Sequence, residues 1–308
     1  MDQANGESAA LSGFAQRLMS GRFTVTAELV PPVSTDPADL AARALPLKGR
    51  VAAVNVTDGA GARAHLSSLV AAHLLLQNGI EPILQMACRD RNRLALESDL
   101  LGALALGVRN LVVLTGDDPK AGNQPDAKPV FDLDSRALLA LARRLGTERK
   151  LPPDTPVDGV TELFLGATDL PIDPPAGWAP TALAEKATSG ARFVQTQFCF
   201  DMDVVRRYTA RLAEHGLGAR IKLLIGVAPI PSARSARWMR EKLYGTIIPD
   251  AVIARLDGAA DARREGIRIC AELLQELATI PGVAGAHVMA PQNPAAIPDA
   301  IAAAGLAA

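Results

Sequence analysis

The chain is poor in aromatic residues and cysteine, and it carries no surplus of either charge. Aromatics make up 4% of its 308 residues, too few for the stacking platforms on which single-stranded nucleic acids are held. Basic residues number 32 against 33 acidic, a formal net charge of −1, so the basic excess of a general nucleic-acid binder is missing. Three cysteines occur, Cys88, Cys199 and Cys270, far apart, with no Cys-x-x-Cys and no histidine at ligand spacing. Zinc frames and a disulfide framework are thereby excluded, and a sparse, odd count fits a reducing cytoplasm. No apolar run has the length of a membrane-spanning helix; Leu111–Leu114 is typical, and strand-sized. Met1 to Ser20 holds Asp2 and Glu7 and no basic region before an apolar stretch, so no signal peptide is expected. Its Asn5-Gly6-Glu7-Ser8 suggests a short, partly disordered lead-in over residues 1–20.

What is present is an ordinary globular balance, 49% hydrophobic and 21% charged, arranged in one rhythm. A β-branched run, a polar break and an Ala/Leu-rich amphipathic stretch recur along the chain. The strand-like runs are Phe23–Leu29, Val51–Thr57, Pro82–Ala87, Asn110–Thr115, Glu162–Ala167, Phe193–Phe200, Ile221–Val227 and Ala286–Ala290. Helical stripes lie between them, with Leu94, Leu101, Leu104 and Ala105 as one example. Eight βα units predict an α/β fold: a single (β/α)8 TIM barrel over residues 21–308. Extra helical material from Pro249 to Ile280 precedes the last strand. Two long Pro/Gly-rich loops, Asp118–Asp134 and Thr168–Pro180, follow the fourth and fifth strands, where barrel enzymes place ligand contacts.

Polar residues at strand ends are the candidates for chemistry. Strand one ends in Ala27-Glu28-Leu29-Val30-Pro31-Pro32. A carboxylate among apolar neighbours loses hydration on ionising, which makes Glu28 a candidate general acid; a salt-bridged glutamate fits the motif as well. Asn55-Val56-Thr57-Asp58-Gly59-Ala60-Gly61 ends strand two and contains a degenerate dinucleotide fingerprint in Gly59, Gly61 and Ala64. The acidic residue that should cap the next strand is displaced to Glu81, which precedes it. After strand three come Cys88 and Arg89-Asp90-Arg91-Asn92-Arg93, either an anion clamp or a solvated helix start capped by Asp90. Strand four ends in Thr115-Gly116-Asp117, which sets a carboxylate over the barrel mouth or forms a plain turn. Gln195 and Gln197 share one face of strand six. They are suited to read a polar heterocycle, or to be satisfied core amides. His65, His73 and His215 read as surface or packing residues, and His287 as a core histidine. Cys88 has no base nearby in sequence and is not expected to be a nucleophile.

Together these strand ends resemble the methylenetetrahydrofolate reductase family. Glu28 before Pro31-Pro32, Val54-Asn55-Val56-Thr57-Asp58, Cys88 through Arg93, Leu114-Thr115-Gly116-Asp117 and Gln195-Thr196-Gln197-Phe198 stand in that family's order and spacing, and the likeness runs from about Phe23 to Leu306. The resemblance implies a flavin-bearing barrel that reduces 5,10-methylenetetrahydrofolate to 5-methyltetrahydrofolate, a step of one-carbon metabolism. It assigns catalysis to Glu28, as the acid that protonates N10, with Asp117 and Gln197. Substrate contacts would come from Glu28, Gln197 and Gln195, and cofactor contacts from Thr57, Gln85, Thr115, Gly116, Asp117 and Lys186. The implied cofactor is FAD, or FMN, with NADH or NADPH as donor; a flavin-independent route stays open, and no metal is implied. The implied partners are the folate substrate and a second copy of the chain or a redox subunit, with no nucleic acid and no membrane. Gln85 replaces a family histidine, Thr115 an arginine and Ala233 an aromatic, and Thr168–Pro180 lacks familiar cofactor contacts, so looser flavin binding is the expectation. The competing reading is a pterin-dependent methyltransferase, or a folate-binding barrel associated with one.

Overall fold

The computed structural model describes residues 11–290 and 293–306. Eight strands close a parallel barrel: β1 (Thr24–Leu29), β2 (Ala53–Val56), β3 (Pro82–Ala87), β4 (Asn110–Leu114), β5 (Phe164–Asp169), β6 (Phe193–Phe198), β7 (Lys222–Val227) and β8 (Val283–Val288). Each strand neighbours the next in sequence, and β8 returns to pair with β1 through Thr24↔Gly285 to Ala27↔Val288. This is the TIM barrel that the alternation of runs predicts. Outside it, Lys150–Leu151 and Thr155–Pro156 form a small antiparallel pair.

The helices are α1 (Gly13–Met19), α2 (Pro37–Ala44), α3 (Ser68–Gln77), α4 (Arg93–Ala105), α5 (Ser135–Glu148), α6 (Thr181–Ser189), α7 (Met202–Glu214), α8 (Ala233–Lys242), α9 (Asp250–Asp257), α10 (Ala262–Leu277) and α11 (Ile297–Ala304). Side chains of Asp36, Asn92, Asp134, Asp201, Ser232 and Asp261 accept N–H bonds in the first turns of α2, α4, α5, α7, α8 and α10. These caps satisfy donors that have no partner within the helix. The helix starts are thus fixed close behind the loops that rise from the strand C-termini. The extra helical material expected from Pro249 to Ile280 is the pair α9 and α10.

Four expectations shift. Asn5 to Ser8 lie outside the described residues, but the lead-in's second half is the helix α1, with Phe14, Ala15 and Leu18 fully buried. The fifth strand starts and ends two residues later than expected, carrying Thr168 and Asp169 into the sheet. The eighth begins at Val283, three residues early, because Gly282 and Gly285 disguise it in sequence. Gly285 is there for closeness: a Cβ at this position would lie 1.9 Å from the Thr24 carbonyl oxygen across the β1–β8 seam. On α4 the buried stripe is Leu96, Leu100 and Ala103, while Leu94 is 71% exposed. Asn92, not Asp90, caps that helix, two residues later than the arginine-rich run suggested.

Alternation within each strand divides the apolar residues into two bodies. Val25, Ala27 and Leu29 of β1, and their counterparts on the other strands, pack outward against the helices. Inside the barrel a lower layer of Ala53, Ile83, Val112, Phe164, Phe193 and Leu224 meets Phe14, Ala15 and Leu18 of α1, which closes the floor. Phe164 and Phe193 stack at 5.1 Å, and Phe14 meets both edge-on at 5.8 and 5.2 Å, the geometry that ring quadrupoles favour. Gly166 leaves the room for this stack, since a Cβ there would sit 2.4 Å from the Phe193 ring. Among the described residues no helix is long and apolar enough to cross a membrane.

Candidate active site

Above the aromatic floor the inner wall turns polar. Thr26 and Glu28 on β1, Asn55 on β2, Thr57 just beyond it, Gln85 on β3, Gln195 on β6 and His287 on β8 occupy the inward positions that alternate with outward apolar ones. The His287 Nδ1 lies 3.0 Å from the Thr26 hydroxyl, and the Gln195 amide nitrogen lies 3.3 Å from both. Gly226 of the intervening β7 puts no side chain between them. The other ring nitrogen, Nε2, faces the Glu28 carboxylate at 3.9 Å. Glu28 is 18% exposed where His287 is 2%, so the carboxylate stands at the boundary between the sealed wall and the mouth. In register, Glu28 is paired with Asn55.

Four atoms of this wall are buried without a partner in the protein: both amide atoms of Asn55, the Thr57 hydroxyl and the Gln195 carbonyl oxygen. A buried polar group left unsatisfied costs about 1–3 kcal/mol, and such groups cluster where a ligand completes them. Donors and acceptors are both among them, which suits the edge of a nitrogen heterocycle. Thr57 in this set fits a flavin ring edge as well as a pterin.

At the rim, Gln197 lies within the register shift between Gln195 and Phe198 in the β6–β7 pairing. Its amide donates to the Tyr244 carbonyl at 3.3 Å and accepts from the Phe198 N–H at 3.0 Å. Tyr244 itself is 86% exposed. Ala233, where an aromatic was expected by resemblance, is buried in the first turn of α8. At the tip of β4, the Asp117 carboxylate accepts the Gly61 N–H at 2.9 Å, and Arg89 donates to the Asp117 carbonyl at 3.2 Å. Thr115 and Asp117 are exposed. Beside them the loop from Gly116 to Phe131 borders a cleft of about 470 Å³ with Lys120 and Lys128 on its rim.

The structure reassigns several residues. Two of the three arginines expected as an anion clamp are engaged with groups of the protein itself. Arg89, 4% exposed, holds Asp90 and the Gly59 and Asp117 carbonyls. Arg91 bridges Asp58 and Asp99. Arg93 is half-exposed beside Glu97 at 4.0 Å. Lys186 donates to the Thr168 carbonyl at 2.5 Å and lies near Asp169, whose carboxyl burial pushes up while the Tyr208 hydrogen bond and the Lys186 charge pull it down. Lys186 is therefore held at the end of β5 through one of its three N–H donors. The dinucleotide fingerprint also fails: the Gly61 N–H is taken by Asp117, and Glu81 sits at the opposite end of the barrel, accepting from the Phe14 N–H and Asn110. Burial pushes the Cys88 thiol up to about 11 and that of Cys199 to about 12, so neither is a ready nucleophile. Among the described residues no cluster of three or more His, Cys, Asp or Glu side chains could hold a metal.

Thr26, Asn55 and His287 are the wall residues to which sequence reasoning gave no role. Their signal was the period-two run of polar side chains on barrel strands, Thr24-Thr26-Glu28 and Asn55-Thr57, interleaved with apolar residues.

The family that matches the chain, over residues 13–305, is described as methylenetetrahydrofolate reductase. A 5,10-methylenetetrahydrofolate reductase of Pectobacterium carotovorum subsp. carotovorum is 24% identical over 216 residues, 69% of this chain and 66% of that protein. Methylenetetrahydrofolate reductase 2 of Saccharomyces cerevisiae is 24% identical over 238 residues, 75% of this chain but 37% of the yeast protein. The chain thus spans no more than about two thirds of either relative. Among solved structures, the EDTA monooxygenase EmoA from Chelativorans sp. BNC1 is similar at a TM-score of 0.56 and 12% identity, with 92% of each chain covered. That likeness speaks for the barrel alone.

Proposed function

The chain belongs to the methylenetetrahydrofolate reductase family, and from that premise we propose that it reduces 5,10-methylenetetrahydrofolate to 5-methyltetrahydrofolate at the mouth of the barrel. The observation that carries the reading is Glu28: a carboxyl group set where the sealed wall opens, beside unpartnered amide and hydroxyl groups on Asn55, Thr57 and Gln195.

In this reading Glu28 gives its proton to N10 of the folate. The bond from the bridging carbon to N10 then breaks, with its electron pair passing to N10, and a 5-iminium cation results. Hydride from a reduced nicotinamide, NADH or NADPH, converts that carbon to the methyl group. Gln197, whose amide reaches the rim, orients the pterin. Asp117 keeps a carboxylate at the tip of β4, where it favours the developing cation. The buried floor of Phe14, Phe164 and Phe193 limits how deeply a ring can enter. A bound flavin, FAD before FMN, would be lined by Thr57, Gln85, Thr115 and Gly116. It would supply a two-electron relay between nicotinamide and folate. Lys186, one of whose three N–H donors is held by the Thr168 carbonyl, would turn the others to its phosphates.

The test is to incubate the purified protein with NADH and 5,10-methylenetetrahydrofolate and to identify the product by mass. Formation of 5-methyltetrahydrofolate with equimolar NADH consumption is expected. A colourless protein inert with NADH and NADPH, with or without added FAD, would favour the methyltransferase reading instead.

A further inference from the structure

We propose that His287 is the positioning residue of the proton donor: its Nε2–H aims at the Glu28 carboxylate, steadies it below the substrate nitrogen, and supports the charge it acquires when the proton leaves. The proposal rests on Glu28 acting as the general acid.

The wall around the imidazole suits one tautomer. Nδ1 faces the Gln195 amide nitrogen at 3.3 Å and the Thr26 hydroxyl at 3.0 Å. An amide NH₂ only donates, so a hydrogen bond from Gln195 needs Nδ1 as its acceptor, and a neutral ring then carries its hydrogen on Nε2. The same amide nitrogen lies 3.3 Å from the Thr26 oxygen, while the Thr26 hydroxyl also approaches the Ala286 carbonyl at 3.4 Å. Two neutral side chains, Thr26 and Gln195, thus hold the ring from behind, and its Nε2–H points forward. What it points at is Glu28, 3.9 Å away. That gap is longer than a hydrogen bond, which needs about 2.7–3.2 Å. Glu28 is the more exposed of the pair, so a small rotation of its side chain closes the distance.

The effect falls on the acid's conjugate base. A protonated Glu28 needs no donor, whereas the carboxylate left after proton transfer does. Hydrogen bonds to charged groups are the strong ones, so the contact is made in the transition state more than in the bound ground state. The groups facing the imidazole are Thr26 and Glu28 from β1 and Gln195 from β6, with Gly226 of β7 adding no side chain. Glu28 is the titratable one among them.

The test is a double-mutant cycle between His287→Leu and Glu28→Gln, with kcat, the folate KM and the pH profile of kcat measured for each. His287→Leu should lower kcat about 10- to 100-fold with the folate KM held within about twofold. Its alkaline limb should move to higher pH, because the carboxylate has lost a stabilising donor. In the Glu28→Gln background the same change should have no further effect. His287→Gln, which returns an N–H near Nε2, should recover most of the rate. Should the leucine variant not fold, His287→Asn keeps the contact with Thr26 and Gln195 but lacks the forward donor, and should lose the same rate. Equal losses in both backgrounds, or a raised KM with an unmoved pH limb, would show a merely structural histidine and overturn the proposal. If Glu28→Gln itself keeps full turnover, the general-acid reading fails first and takes this one with it.

Discussion

Gln197 sits where wall gives way to rim, and its two contacts with backbone groups leave capacity on both amide atoms for a ligand. Gln197→Ala should raise the folate KM by about 10-fold or more, since one hydrogen bond in a closed site contributes about 1–3 kcal/mol. Fold and thermal midpoint should stay put; an unchanged KM and turnover would make Gln197 structural. The cysteines give a residue-scale prediction of opposite character. Burial raises Cys88 from 9.0 to about 11 and Cys199 to about 12. The native state therefore keeps protons that the unfolded chain releases, and the associated stability is full below about pH 9 and lost as pH rises toward 11. Urea melts between pH 8 and 11 should show a falling midpoint, and thiol reagents should label native protein slowly at pH 8. Rapid labelling of Cys88 would contradict its burial. How far such residues were legible in sequence depended on their neighbours. Glu28 stood out because apolar residues flank it. His287 did not, since its partners Thr26 and Gln195 lie 261 and 92 positions away.

At the scale of elements, the barrel was legible because its strands are β-branched runs bounded by breaks, and seven of the eight fell within two residues of expectation at both ends. The fifth and eighth slipped for identifiable reasons. Thr168 and Asp169 read as loop, but Asp169 is held by Tyr208 of α7, which extends β5. Gly282 and Gly285 carry no strand signal, yet the seam with β1 tolerates no side chain at 285. The floor helix α1 was the larger omission. Seven residues long, it is too short to show a periodicity, and its burial comes wholly from tertiary contact with strands that begin far away in sequence. Phe14→Ala should therefore destabilise the barrel by about 3–5 kcal/mol, the usual cost of a large aromatic truncated in a core. Chemical denaturation should register it as a lower midpoint. A change under 1 kcal/mol would show that the floor is not part of the cooperative core.

For the whole molecule, the open question is how electrons reach the folate. Three of the cations that could hold a flavin's phosphates, Lys186, Arg89 and Arg91, are already engaged. Replacing a charge-assisted contact by a neutral one weakens a dissociation constant by roughly one to two decades. The chain should thus take up FAD weakly when titrated, with quenching of Trp178, which packs on Tyr208 at 6.0 Å near the end of β5, and Trp238. Full turnover with NADH and no flavin present would remove the flavin from the account and leave Glu28 and Gln197 in place. The central claim does not turn on that outcome, because Glu28 serves either route. Its most direct test is turnover of 5,10-methylenetetrahydrofolate by Glu28→Gln, a change that removes the proton donor while keeping size and polarity. General acid catalysis contributes about 100- to 10,000-fold, so the rate should fall by at least 100-fold with the fold intact; a variant that turns over folate at near the wild-type rate would contradict the account.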